Sequence, residues 1–247
     1  MDVGFKSDKG KIRSKNEDSF YIMKEKNFFV VADGVGGNRA GEIASSTAAK
    51  EIAALFYSKN TDSFSSERDV ENFMLECVES VNHRILSLSQ EKEENNGMAT
   101  TLVVAYFYKK KLLMMNIGDS RGYILRDGKL LQITEDHTYV NTLLQAGIIS
   151  EEEAQVHEGK HMITRAIGAE DSIEADIFNV GVRNGDIIMI CTDGLYGEVS
   201  DEEIRDRLTL NESMQFITDS LVESAIIHGG HDNITVICVK ITEEDDI

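Results

Sequence analysis

Five short segments of this chain, far apart in sequence, each set a carboxylate in a turn beside an apolar, strand-like run. They are Arg13-Ser-Lys-Asn-Glu17-Asp18, Phe29-Val-Val-Ala-Asp33-Gly34, Asn116-Ile-Gly-Asp119-Ser-Arg121, Ile190-Cys-Thr-Asp193-Gly194 and Gly229-Gly-His-Asp232-Asn233. Aspartate is a poor strand residue and is costly to bury, so an aspartate closing an apolar run needs a reason. A single one could cap a turn. Five repeats of the pattern call for a fold that brings strand ends together and gathers one carboxylate cluster.

The remaining periodicity fits that demand. Phe28 to Ala32, Thr101 to Tyr108, Leu112 to Ile117, Gly122 to Arg126, Ile187 to Thr192 and Asn233 to Ile241 read as short strands. Turn signals at Tyr108-Lys-Lys-Lys111, Asp127-Gly128 and Asn184-Gly185 separate them, and tight hairpins mean antiparallel pairing. Apolar stripes at helical spacing run over Gly41 to Tyr57 and Val70 to Leu88. Further helices are expected over Tyr139 to Ala146, Ser150 to Val156 and Met214 to Ile227. The pattern predicts an α+β fold of two packed antiparallel sheets flanked by helix pairs, with the aspartates at one rim. With no proline, no Ser/Gly tract and no repeat to mark a linker, 1–247 reads as one domain.

Composition removes several function classes. Forty-four acidic residues against 25 basic ones give a net charge of -19, the wrong sign for a nucleic-acid binder. The runs Glu151-Glu-Glu153 and Glu243-Glu-Asp-Asp246 read as solvated surface. No apolar run approaches a membrane span, and the N-terminus has no signal-like segment. Cys77, Cys191 and Cys238 read as buried free thiols, so a cytoplasmic location is expected.

Hard divalent cations take oxygen ligands, and Mn²⁺ or Mg²⁺ take about six. Two such ions ~4 Å apart repel by ~17 kcal/mol at an effective dielectric near 20, so only several carboxylates can hold them together. The candidate segments offer carboxylates with almost no His or Cys beside them, which disfavours zinc. Gly34 and Gly194 directly follow two aspartates, where glycine permits a tight turn and leaves a carbonyl accessible. Paired cations activate water and clamp phosphoryl oxygens, and Arg13 could fork onto the same phosphate. This chemistry points to metal-assisted hydrolysis of a phosphate ester, with monoester, diester and anhydride all open.

The segments resemble, in order, the metal-dependent Ser/Thr protein phosphatases of type 2C in their short bacterial form. The resemblance runs from Asp8-Lys-Gly-Lys-Ile-Arg13 to Gly230-His-Asp-Asn-Ile-Thr235 and includes Met98-Ala-Thr-Thr-Leu102, Asp136-His137-Thr138 and Thr164-Arg165-Ala-Ile-Gly168. It implies an αββα sandwich and hydrolysis of phosphoserine and phosphothreonine in proteins, opposing a Ser/Thr kinase, with a monomeric enzyme expected. It further implies that Asp33 bridges two Mn²⁺ or Mg²⁺ ions, with the Gly34 carbonyl on one and Asp193 and Asp232 on the other. Glu17 and Asp18 would act directly or through water, Arg13 would bind the phosphate, and Asp119 with Asp193 would offer a weaker third site. Asn233 is expected to orient Asp232, and 147–162 to form a flap beside the site.

One departure concerns Val35, in Asp33-Gly34-Val35-Gly36-Gly37, where eukaryotic members carry a histidine proposed as general acid. Valine has no proton to give, so a water on a metal is expected to serve instead. Two lookalikes fail on context. His157-Glu158-Gly-Lys-His161 matches the zinc-protease pattern, but Gly159 weakens the helix it needs. Gly34-Val-Gly36-Gly37 suggests a dinucleotide loop, but Arg39 stands where a third glycine belongs. A thiolate phosphatase needs Arg six residues after Cys, and Cys77 reaches His83 while Cys191 reaches Gly197. A silent metal-sensing domain would be expected to lose Asp33, Asp193 or Asp232, and an acidic Ca²⁺ module would carry EF-hand loops.

Overall fold

The computed structural model describes residues 1–36, 40–243 and 245. Gly37, Arg39, Glu244 and Asp246, which figure in the sequence reading, lie outside the described residues. The chain opens with β1 (Asp2–Asp8), β2 (Asp18–Met23) and β3 (Phe28–Val35), then α1 (Ala40–Ser58) and α2 (Glu67–Glu91). Next come β4 (Ala99–Thr100), β5 (Leu102–Tyr108), β6 (Lys111–Ile117), β7 (Arg121–Arg126) and β8 (Lys129–Gln132). The helices α3 (Tyr139–Gln145) and α4 (Glu151–Val156) precede β9 (Asp176–Gly181) and β10 (Ile187–Cys191). The chain closes with α5 (Asp193–Tyr196), α6 (Asp201–Leu208), α7 (Met214–His228) and β11 (Ile234–Lys240).

Two antiparallel sheets result, one ordered β1-β11-β10-β7-β8 and the other β2-β3-β5-β6-β9, with β4 paired to β3. Three apolar layers hold them in the expected αββα arrangement. Phe29 and Val31 of β3 meet Ile188 and Ile190 of β10 and Ile237 and Val239 of β11 between the sheets. Phe28, Val30 and Ala32, alternating with them, face Ala44, Ile52, Met74 and Val81 of α1 and α2. Met189 and Cys191 of β10 and Val236 and Cys238 of β11 face Ile204, Leu221 and Val222 of α6 and α7. Helices cover both outer faces, so central strands are buried on both sides and read as continuous apolar runs rather than alternating ones.

The helical cover differs from the sequence reading in one respect. α3 and α4, expected among the flanking pairs, bury only Val140 and Ala154 among their described side chains and cover neither sheet. The second flanking pair is α6 with α7, and α6 escaped the sequence reading. Eight residues with two buried positions, Ile204 and Leu208, give too short a stripe to stand out. The strands β1 and β2 were also missed. Each is an edge strand, half-buried along most of its length, with no strong period of two. The three cysteines are buried and free, as read.

Candidate functional site

Asp33 lies near the end of β3, directly opposite Asp18 in the β2–β3 ladder. Asp193 follows β10, Asp232 precedes the neighbouring β11, and Asp119 occupies the turn between β6 and β7. These five residues come from both sheets, yet Asp18, Asp119, Asp193 and Asp232 all repel the charge on Asp33. The fold has therefore brought the separated aspartates into one cluster.

Glycines make this convergence possible by close approach. A Cβ on Gly34 would lie 2.1 Å from the Gly41 carbonyl oxygen, and one on Gly194 would lie 2.0 Å from that of Asn233. Neither glycine has a left-handed φ. The tight turn expected from Asp-Gly is thus not their role: each lets a second backbone lie against the strand end that carries an aspartate. A Cβ on Gly41 would come within 2.7 Å of the Gly34 carbonyl oxygen and 3.1 Å of the Glu17 carboxylate carbon, so Gly41 keeps room beside both.

Asp18 is held most firmly. Its Oδ2 accepts hydrogen bonds from Thr192 Oγ1 at 2.9 Å and Thr235 Oγ1 at 2.7 Å. Thr235 Oγ1 also meets Ser7 Oγ at 2.8 Å. Asp18 Oδ1 is buried with no hydrogen-bond partner, and so is Asp193 Oδ1. Burial and the charges of Asp193 and Asp232 push the Asp18 carboxyl up to about 7, against the two hydroxyls. Burial with Asp193 and Asp136 nearby pushes Asp119 up to about 7 as well. Asp33 is driven well above the usual carboxylate range by burial and the surrounding carboxylates.

Whether a cation suits these residues follows from the same observations. Asp33 and Asp193 lie close enough for each to act on the other's ionisation. Two buried carboxylate oxygens are orphaned, and the donor set is almost wholly oxygen. Among the described residues no three His, Cys, Asp or Glu side chains converge tightly enough to hold an ion as they stand. The residues fit a hard divalent cation.

Arg13 leans over the cluster from an exposed loop. Its Nη2 donates to Asp232 Oδ2 at 2.6 Å. Burial works against its charge, but Asp232, Asp33 and Asp193 hold it above the ordinary arginine value. Glu17, partly buried, is pushed up by that burial against the pull of Arg13 and Lys15. Asn233 does not orient Asp232 with its side chain; only its backbone N–H donates to Asp232 Oδ1, at 2.8 Å. Its carboxamide bonds the loop that carries Arg13 and Glu17 instead.

Asp119 rests on a separate network. Gly118 precedes it with φ +97°, and its N–H donates to His137 Nδ1 at 3.1 Å. His137 Nε2 meets Asp176 Oδ2 at 3.0 Å, so His137 links the Gly118 turn to β9. Tyr196 donates its hydroxyl to the Asp119 carbonyl at 2.8 Å, and its ring lies 3.6 Å from the guanidinium carbon of Arg121. Arg121 in turn forks onto Asp136. Thr192, Thr235, Tyr196 and the carboxamide role of Asn233 were missed by sequence reasoning. The available signal was a threonine inside each of two buried apolar runs, Ile190-Cys-Thr and Ile234-Thr-Val, where a hydroxyl needs a partner.

The segment 147–162 projects from a narrow base closed by Tyr139 N–H to the Met162 carbonyl at 2.8 Å and Thr164 N–H to that of His137 at 2.8 Å. Ile148, Val156 and Met162 are exposed along it, and His161 is near enough for its charge to act on Asp193. The zinc-protease lookalike fails here on geometry, because α4 ends at Val156 and His157 to His161 lie in turns.

Comparison with known proteins points one way. A family model described as protein phosphatase 2C matches residues 11–226. The serine/threonine phosphatase stp of Listeria welshimeri is 37% identical over 243 residues, covering 97% of this chain and 96% of the relative. The protein phosphatase PhpP of Streptococcus pneumoniae is 36% identical over 248 residues, covering 99% of each. Among solved structures, the catalytic domain of the serine/threonine protein phosphatase PstP, in complex with two manganese ions, superposes with a TM-score of 0.85. It shares 35% identity and covers 98% of both chains.

Proposed function

This chain belongs to the protein phosphatase 2C family, and we propose that it hydrolyses phosphoserine and phosphothreonine monoesters in proteins at a binuclear Mn²⁺ or Mg²⁺ centre. The observation that carries this reading is the carboxylate cluster of Asp18, Asp33, Asp119, Asp193 and Asp232. Its members repel one another, two of its buried oxygens lack partners, and an arginine stands beside it. The manganese-bound relative supports the choice of ion.

In this reading Asp33, the Gly34 carbonyl, Asp193 and Asp232 would hold the two ions. Glu17 and Asp18 would support the pair directly or through water, and Asp119 with Asp193 would offer a weaker third position. When bound, the ions supply the Lewis acidity that activates water and offsets charge on the phosphoryl oxygens. Arg13 opens its bond to Asp232 and forks onto the non-bridging phosphate oxygens. Thr192 and Thr235 keep Asp18 from rotating away from the cluster. The site is a rim beside segment 147–162, taken here as a flap, so broad substrate tolerance is expected. Phosphoprotein substrates, a cognate Ser/Thr kinase, a cytoplasmic location and a monomeric single domain over 1–247 belong to the same proposal. No helix among the described residues is long and apolar enough to cross a membrane.

The test is hydrolysis of a phosphothreonine peptide with Mn²⁺, then with EDTA, in the parent protein and in Asp33→Ala. Turnover that needs Mn²⁺ and falls by at least ~10³ in the variant is the expected result. Folded protein inert with every divalent ion would sink the reading.

A further inference from the structure

Residues 9–17 cross the rim of the sandwich between β1 and β2 without regular structure, and they carry both Arg13 and Glu17. A catalytic arginine on such a loop is useful only if the loop is held. Backbone bonds fix one side: Lys11 N–H donates to the Gly230 carbonyl at 2.8 Å, and Ile12 N–H reaches the same oxygen at 3.3 Å. At the other end Gly34 N–H donates to the Glu17 carbonyl at 3.2 Å and Asn16 Nδ2 to Ser7 Oγ at 2.8 Å, and one side chain ties that end back to the start. Asn233 Nδ2 donates to the Lys9 carbonyl at 2.9 Å and the Lys15 carbonyl at 2.8 Å. Asn233 Oδ1 accepts the Glu17 N–H at 2.8 Å.

This carboxamide therefore joins the start of the loop to its end, with Arg13 between. It lies only 5% exposed, at the head of β11 and next to Asp232, the residue Arg13 touches. The chemistry demands asparagine: two donors and one acceptor in a flat fork at this reach. Aspartate would set a carboxylate against two carbonyls, serine has one donor, and glutamine is a methylene too long.

We propose that Asn233 is a positioning residue for phosphate-ester hydrolysis, clamping the 9–17 loop so that Arg13 faces the carboxylate cluster. The assignment rests on the phosphatase reading above.

Two measurements on the full chain test it. In hydrogen exchange without metal or substrate, Asn233→Ala should speed exchange of the 9–17 backbone about tenfold, while β11 stays protected. With saturating Mn²⁺ and a phosphothreonine peptide, the same change should raise KM about tenfold or more and leave kcat within about threefold. In an Arg13→Ala background it should add less than about twofold to KM, because the group it places is gone. Asn233→Asp keeps the Glu17 bond and loses both carbonyl bonds, so it should follow Asn233→Ala in KM; it also carries the test if the alanine variant does not fold. An unchanged KM in both variants, or an effect that multiplies with Arg13→Ala, would overturn the proposal. Loop exchange unmoved by either variant would overturn the clamp by itself. A parent protein without turnover would overturn the phosphatase reading and the catalytic role with it, while the exchange result would still decide whether Asn233 holds the loop.

Discussion

A carboxylate at the cluster is kept in place by hydroxyls rather than by countercharge. Thr192 and Thr235 both donate to Asp18 Oδ2, and these bonds favour the ionised form that burial opposes. Removing one donor from a buried charge costs ~1.5–3 kcal/mol, but far less when the carboxyl is protonated. Thr235→Val should therefore destabilise metal-free protein by about that much at pH 8, where Asp18 is ionised, and by clearly less at pH 5. Urea midpoints at the two pH values check this, and an equal loss at both would argue that lost packing dominates. Asp18 Oδ1 and Asp193 Oδ1 have no such donor.

Among the elements, the β5–β6 hairpin is strained by its own sequence. Lys109 and Lys110 both adopt left-handed φ, 47° and 60°, a pairing for which Asn-Gly is far better suited. A left-handed non-glycine residue costs ~1–2 kcal/mol. Lys109→Asn with Lys110→Gly should raise stability by ~1 kcal/mol, a Tm gain of ~2–4 °C for a chain this size. The Lys109 ammonium over the Tyr108 ring would be lost, at ~0.5 kcal/mol for an exposed pair, so the net sign stays positive. A melt with no gain would show that the turn is not strained as argued. By contrast, Asp127-Gly128 already supplies left-handed residues at the β7–β8 hairpin, which is why that turn was legible from two letters.

For the molecule as a whole, the proposed metal and pH would act on the same charges. Asp18 and Asp119 each titrate at about 7 in the fold, well above an ordinary aspartate. The folded state thus binds more protons than the unfolded one between about pH 4 and 7, so these groups lower stability as pH rises through that window. A net charge of -19 adds general repulsion. Metal-free protein is expected to melt lower at pH 7.5 than at pH 5.5, and excess MnCl₂ to raise Tm more at pH 7.5, where protons compete less. Melts in EDTA and in MnCl₂ decide it; an equal Mn²⁺ gain at both pH values would mean that these carboxyls do not meet the ion.

What the sequence determined by itself was local: apolar runs long enough for strands buried on both faces, amphipathic stripes for α1 and α2, and an aspartate closing run after run. From those came two packed antiparallel sheets with helices on their outer faces, while the family came from the motifs' resemblance and their order. What it could not determine were contacts between residues more than 170 positions apart. Thr192 and Thr235 reach Asp18 across 174 and 217 positions, and Asn233 reaches Glu17 across 216. Nor could it tell that Gly34 and Gly194 serve close approach rather than a turn, or that β1 and β2, with little apolar pattern, form the edges beside the site. The physical reason is one of range. Propensity and periodicity are properties of a few consecutive residues, whereas a hydrogen bond between a strand end and a distant loop exists only once the topology has placed both.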